Sequence, residues 1–160
     1  MKKFTIAILL SGLFTNTAFA SAANNFGFNY SFDEVFGTQF EFDISKAANN
    51  RPVSVQLFWK SYSQRLSNTA TWKTIGVGAV GIYDLTSISK FDKKVHPYVG
   101  LGMMTVSYSW AGSGNAQNYS GVDGGLYATS GMRYDIGPEI DADVNFNTFG
   151  GVTAGVNFKY

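Results

Sequence analysis

After residue 20 the chain alternates between apolar and polar side chains. From Glu139 the order is Glu, Ile, Asp, Ala, Asp, Val, Asn, Phe, Asn. In an extended strand Ile140, Ala142, Val144 and Phe146 then line one face, with acids and amides on the other. Residues 152–160 repeat the pattern: Val152, Ala154, Val156, Phe158 and Tyr160 oppose Thr153, Gly155, Asn157 and Lys159. The intervening Asn147-Thr148-Phe149-Gly150 predicts a short turn and a hairpin. Upstream, Leu126, Ala128, Met132 and Tyr134 fall opposite Arg133 and Asp135, and Ile136-Gly137-Pro138 turns that strand into the next. Val53, Val55, Leu57 and Trp59 alternate with Ser54, Gln56, Phe58 and Lys60. Phe40, Phe42 and Ile44 oppose Gln39, Glu41 and Asp43, and Phe26, Phe28, Tyr30 and Phe32 alternate with Gly27, Asn29 and Ser31. Residues 72–83 and 97–108 complete the set. Their facing stays open, and the second half of 97–108 could switch side through a bulge. The pattern thus predicts eight strands of roughly nine to twelve residues, each long enough to cross a bilayer at the tilt of a barrel.

The first twenty residues differ. Lys2 and Lys3 precede an apolar stretch over Phe4–Phe14, and Ala18-Phe19-Ala20 offers small residues at the cleavage positions. This is the three-part pattern of a secretory signal, too short for a membrane helix, and it predicts a mature domain over residues 21–160. Without Lys2 and Lys3 the remaining chain is close to neutral, so it lacks the basic face that nucleic acid requires. Charged residues are 14% of the chain and cysteine is absent, which removes disulfides, thiolate metal sites and cysteine nucleophiles.

Alternation alone suits either a membrane barrel or a secreted soluble barrel with an apolar ligand inside. Two features favour the membrane. The polar faces carry Gly, Ser, Thr, Asn and Gln rather than Lys and Glu, as a narrow polar lumen would. Aromatic residues recur near predicted strand ends, notably Phe26, Trp59, Tyr134 and Tyr160, with Trp72, Tyr83 and Trp110 beside them, as in an interfacial girdle.

The ending Gly155-Val156-Asn157-Phe158-Lys159-Tyr160 resembles the C-terminal assembly signal of Gram-negative outer-membrane barrels, with Gly155, Phe158 and Tyr160 at its matching positions and Ala154 departing from the polar one. Pro97-Tyr98-Val99-Gly100-Leu101-Gly102 resembles a strand of the small OmpA/OmpX-like, opacity-type barrel family, and Tyr134-Asp135-Ile136-Gly137-Pro138 that family's turn before the penultimate strand. The resemblance implies an all-β, eight-stranded antiparallel up-and-down transmembrane β-barrel, placed in the bacterial outer membrane by the barrel insertion machinery. It implies no particular activity, because the family is functionally mixed.

An eight-stranded barrel is just filled by its own side chains, so charges inside must be paired. Folding the predicted hairpins sets Arg133 opposite Glu139 or Asp141 and Lys159 opposite Glu139. A lumen ion network of Arg133, Glu139, Asp141 and Lys159 follows, with Glu139 between two cations. Glu41, Asp43, Lys60 and Lys73 are further inward candidates. The acidic row Glu139, Asp141, Asp143 also has the look of a cation site, but Arg133 and Lys159 are the better partners. His96, the single histidine, has only Asp92 nearby as an orienting acid, so no catalytic set is expected, and no cofactor.

With both termini in the periplasm, segments 63–71 and 109–122 become external loops and carry any binding to an unidentified surface ligand. Other expected partners are outer-membrane lipid and lipopolysaccharide, and the chain is expected to be a monomer. The functional expectation is a non-enzymatic structural or surface-binding barrel. The alternatives are a narrow pore and the soluble ligand-holding barrel.

Overall fold

The computed structural model describes residues 24–67, 70–87, 91–112 and 119–160. The expected signal segment lies outside them. Eight strands follow one another: β1 (Asn25–Ser31), β2 (Val35–Asp43), β3 (Val53–Ser67), β4 (Ala70–Asp84), β5 (Val95–Gly112), β6 (Tyr119–Gly137), β7 (Ile140–Asn147) and β8 (Gly151–Lys159). Each pairs antiparallel with its chain neighbour, and β8 returns to β1, with Phe26 opposite Phe158 and Tyr30 opposite Ala154. Closure leaves the transmembrane part of the sheet without an edge.

The alternation resolves as lipid-facing outside and polar inside. Phe146 (60%), Val144 (51%) and Met132 (50%) are exposed on the outside, and all are apolar. Asn29, Gln39, Asp143, Asn145, Asn147, Thr153 and Asn157 are buried. This is the reverse of a soluble ligand-holding barrel. The facing left open by the sequence is also settled. In β4 the odd residues Ile75, Val77 and Tyr83 point out, while Val80 and Ile82 point in. In β5 Val99, Leu101 and Met103 point out and Tyr98 and Met104 point in, with unbroken pairing on both sides and no bulge.

Strand length departs from the expectation of near-equal strands. β3 and β4 have 15 residues each, β5 has 18 and β6 has 19, against 7 for β1 and 8 for β7. Most of the expected loops 63–71 and 109–122 is therefore strand. The pairing continues because both arms carry residues compatible with extended backbone, such as Tyr62-Ser63-Gln64 opposite Trp72-Lys73-Thr74. β2 ends its pairing with β3 at Val35 opposite Tyr62, and β7 ends with β6 at Asn147 opposite Thr129. Beyond those levels β3–β6 stand alone as a four-stranded sheet with two free edges. The β6 edge, residues 119–128, runs for about 33 Å of strand.

Candidate functional site

Three layers occupy the inside of the barrel, described from the end that bears the termini toward the end that bears the long hairpins.

The first is a vestibule of about 170 Å³ lined by Glu41, Asp43, Asp84, His96, Tyr98 and Arg133, among others. Period two brings each acid and base inward from its strand. Arg133 on β6 reaches across the lumen to Glu41 on β2: Nη1 donates to Oε1 at 3.0 Å, and Nη2 binds Oε2. Ser54 also donates to Glu41. The guanidinium carbon lies 4.7 Å from the Tyr98 ring, whose hydroxyl donates to Asp143 at 2.9 Å. Asn145 donates to the second Asp143 oxygen at 2.6 Å. Gly131 makes room for this arrangement, since a Cβ there would sit 2.8 Å from the Tyr98 hydroxyl.

At the rim, Lys159 binds Asp135 at 2.7 Å and Asp141 at 2.6 Å. His96 Nε2 lies 3.1 Å from Asp135, and Nδ1 lies 3.2 Å from Thr86 Oγ1. Thus the acid facing His96 is Asp135 across the β5–β6 ladder, not Asp92. A hydroxyl, an imidazole and a carboxylate in series have the order of a hydrolase triad. Here the carboxylate is shared with Lys159, and the three side chains clamp the β4–β5 connection onto β6.

Of the expected ion network, Arg133, Asp141 and Lys159 lie inward. Glu139 does not join it. The turn falls at Pro138-Glu139, past the last β6–β7 pair Gly137–Ile140, and this leaves the Glu139 side chain exposed. A register shift between Asp135 and Gly137 moves Arg133 opposite Asp143. Lys159 meets Glu139 only through backbone, its N–H donating to the Glu139 carbonyl at 2.9 Å. Of the further candidates, Glu41, Asp43 and Lys60 face in, whereas Lys73 is exposed on the outer face of β4.

The second layer is apolar. Phe58, Val80, Ile82, Tyr98, Met104 and Tyr127 form one buried cluster inside the barrel, with Val106 and Phe149 packed on it. The Phe58 and Tyr127 rings lie 4.2 Å apart, and the Lys60 ammonium sits 5.3 Å from the centre of the Tyr127 ring. Gly78 opens the space for Phe58, because a Cβ there would approach that ring to 2.6 Å. On the opposite wall Asn29 donates to Gln39, Gln39 to Asn157, and Asn147 to Asn145. Side chains from both walls are buried inside the barrel at this level.

The third layer is a cleft of about 350 Å³ above the plug, lined by Asp33, Val35, Tyr62, Trp72, Thr74 and Phe149. Tyr62 and Trp72 come from the inner face of the protruding β3–β4 hairpin, and Phe149 from the β7–β8 turn opposite. Asn147 holds that turn by accepting from the Phe149 and Gly150 amides at 3.2 and 2.8 Å. Asp33 sits in the β1–β2 turn, which is fixed by the Glu34 amide on the Ser31 carbonyl and the Val35 amide on the Ser31 hydroxyl. The sequence did not point to this cleft. Trp72, expected in the girdle, lies on the inner face and stacks on Tyr108 with ring centres 5.8 Å apart and planes 7° apart. Trp110, paired with Trp72 in the ladder, occupies the same inward series.

The remaining girdle candidates face out. Tyr134 and Tyr160 are exposed at the terminal end, with Tyr83 also exposed. Phe26 is half-buried between Phe28 and Phe40. Trp59 lies in the middle of β3 rather than near its end, edge-on to Phe36, because β3 continues to Ser67. Phe158 lies outward beside Phe26 in the β1–β8 ladder, and Gly155 lies against the Phe28–Asn29 backbone, where a Cβ would meet the Phe28 carbonyl at 2.2 Å.

The fold is similar to the N-terminal β-barrel domain of Pseudomonas aeruginosa OprF, with a TM-score of 0.61 at 13% identity over 86% of this chain and 96% of that one. It is also similar to Neisserial surface protein A, with a TM-score of 0.57 at 18% identity over 86% and 94%. The Yersinia pestis outer membrane protein Ail in a phospholipid bilayer nanodisc gives 0.53 at 12% identity over 86% and 99%. No curated protein sequence matches the chain. A family model described as Opacity family porin protein matches residues 39–159. With a closed eight-stranded barrel, an apolar exterior and that match over most of its length, the chain belongs to the Opacity family of outer-membrane barrel proteins.

Proposed function

We propose that this barrel is a non-enzymatic, non-conducting surface protein that binds its ligand with the long hairpins at the outer end. The observation that carries this reading is the division of the molecule into a filled lumen and a built cleft above it. The apolar cluster around Phe58 and Tyr127 stands on one wall of the lumen and the hydrogen-bonded amides of Asn29, Gln39 and Asn157 on the other, and a lumen occupied from both sides supports a barrel without a pore. Two of the four strands that extend past the barrel, β3 and β4, line one side of the cleft, and long outer hairpins over short turns are the usual division of labour in such barrels. Ail, which shares the fold, is recorded in complex with the heparin analogue sucrose octasulfate. The described side chains at this chain's hairpin end include Asp33, Glu34 and Asp123 with Lys73 on the outer face, a poor match for a polyanion.

Planar-bilayer recording and a cell-adhesion assay test the reading together. The wild-type barrel is expected to give no steady single-channel steps. Cells displaying a variant with residues 63–71 and 109–122 replaced by tight turns are expected to lose adhesion while keeping the barrel in the membrane. Steady steps from the wild type, or unchanged adhesion by the shortened variant, would overturn it.

A further inference from the structure

We infer that the cleft above the plug is a binding site for an organic cation bearing an alkylated ammonium group. The inference deepens the surface-binding reading and rests on it. Three aromatic rings, Tyr62, Trp72 and Phe149, line the cleft together with a carboxylate, Asp33, and no cationic side chain is among the described lining residues. Tyr62 is paired with Thr74 across the β3–β4 ladder, and Trp72 is the next inward residue, so the two rings are diagonal neighbours on one face. Phe149 closes the cleft from the facing turn, its ring resting on the plug near Met104. A volume of about 350 Å³ is within the range of small-molecule sites.

The polar groups of the cleft decide the ligand class. The Trp72 indole N–H donates to Thr74 Oγ1 at 2.8 Å, and the Tyr62 hydroxyl donates to Gln64 at 2.7 Å. The Trp72 and Tyr62 donors are thereby engaged within the protein, which leaves the Thr74 hydroxyl as the cleft's one uncommitted side-chain donor among the described residues. The lining is therefore dominated by three aromatic rings and one carboxylate, with Val35 and Thr74 beside them. Ring faces attract cations, and a quaternary ammonium needs no hydrogen bond in return. Asp33 is held in place by the Ser31-anchored turn, and the Gly151 backbone, at φ 59°, lies beside its carboxylate.

The test uses the full chain refolded in octyl glucoside, a detergent without an ammonium group. Choline is titrated against tryptophan fluorescence and by calorimetry, with its uncharged carbon isostere 3,3-dimethylbutanol alongside. Saturable choline binding is expected, with the isostere at least tenfold weaker. Trp72→Leu and Asp33→Asn are each expected to weaken choline roughly tenfold, and Trp59→Leu on the outer face to leave it unchanged. Heat-modifiable migration on a gel reports whether each variant is folded; if Trp72→Leu fails to fold, Tyr62→Leu takes its place. Equal binding of the isostere, no saturation by the wild type, or full affinity in both cleft variants overturns the inference. The adhesion assay above is read separately, so loss of the cation site leaves the surface-binding reading standing if the shortened hairpins still abolish adhesion.

Discussion

Replacing Arg133 by methionine tests the ion pair that ties β2 to β6 across the lumen. The Arg133 and Glu41 side chains are only 11% and 5% exposed, so both charges are largely out of water. Removing one partner of a buried pair costs about 3–5 kcal/mol, because the other charge stays behind without compensation. The lost contact with the Tyr98 ring adds about 0.5–1 kcal/mol. Asp143, 4.0 Å from Arg133 Nε, keeps two donors, the Tyr98 hydroxyl and the Asn145 amide, so Glu41 is the more stranded of the two acids, with Ser54 as its remaining donor. Arg133→Met alone is therefore expected to lose about 4–5 kcal/mol. Adding Glu41→Gln removes the stranded charge and keeps an acceptor for Ser54. The double variant is expected to lose only about 2 kcal/mol, about 2–3 kcal/mol less than Arg133→Met alone; Glu41→Gln alone strands the Arg133 charge, so the coupling exceeds that difference. The assay is urea unfolding of the barrel refolded into lipid vesicles, followed by tryptophan fluorescence. A loss below about 1 kcal/mol for Arg133→Met, or strictly additive losses, would refute the account of the lumen as a set of obligatory pairs.

At the rim, His96→Ala removes a partner of Asp135 whose side chain is 28% exposed, and Lys159 remains on that carboxylate. The same unfolding assay is expected to show a loss under about 1 kcal/mol, and several kcal/mol would contradict the distinction between rim and lumen. Gly131→Val puts a branched side chain where Cβ already lies 2.6 Å from the Val144 carbonyl. It is expected to cost about 3 kcal/mol or to block folding, read as loss of the heat-modifiable band. Phe158→Asp, or deletion of Tyr160, is expected to lower the amount of assembled barrel in outer-membrane fractions, and unchanged levels argue against a role for this end in insertion. Phe58→Ala combined with Tyr127→Ala hollows the plug and is expected to produce conductance steps where the wild type gives none. A silent double variant means that the amide wall alone closes the lumen.

The strand pattern was legible because lipid outside and amides inside impose the same period on every strand, and β7 and β8 show it without interruption. Glycine blurred it in β4 and β5. Gly76, Gly78, Gly100 and Gly102 stand at inward positions where Phe149, Phe58, Ile82 and neighbouring backbone need the room, so neither face of those strands reads as polar. The ion network was only half legible. Hairpin folding relates neighbouring strands, which places Lys159 near the start of β7. Arg133 finds Glu41 across the lumen, on a strand that does not pair with β6, and no local pattern carries that information. The misplaced turn had a physical cause as well: the irregularity between Asp135 and Gly137 shifts the β6–β7 register and moves Glu139 out of the barrel. The cleft was illegible because its residues are spread over three connections, and because Trp72 looks like any girdle aromatic until β4 is seen to extend past the membrane.

The step in the barrel wall also fixes how deep the molecule can sit. Above Thr129 the amides and carbonyls on one side of β6 have lost their β7 partners. Thr148 serves both backbone groups of Ala128, and the Asp123 carboxylate accepts from the Gly124 amide at 2.8 Å. Among the described residues, the same-facing groups of residues 120, 122 and 126 have no β7 partner. Hydrocarbon cannot satisfy them. On that flank the oil layer must therefore stop near the Thr129–Asn147 pair, and the barrel carries its own waterline, drawn by where a hydrogen-bond ladder ends rather than by a belt of rings.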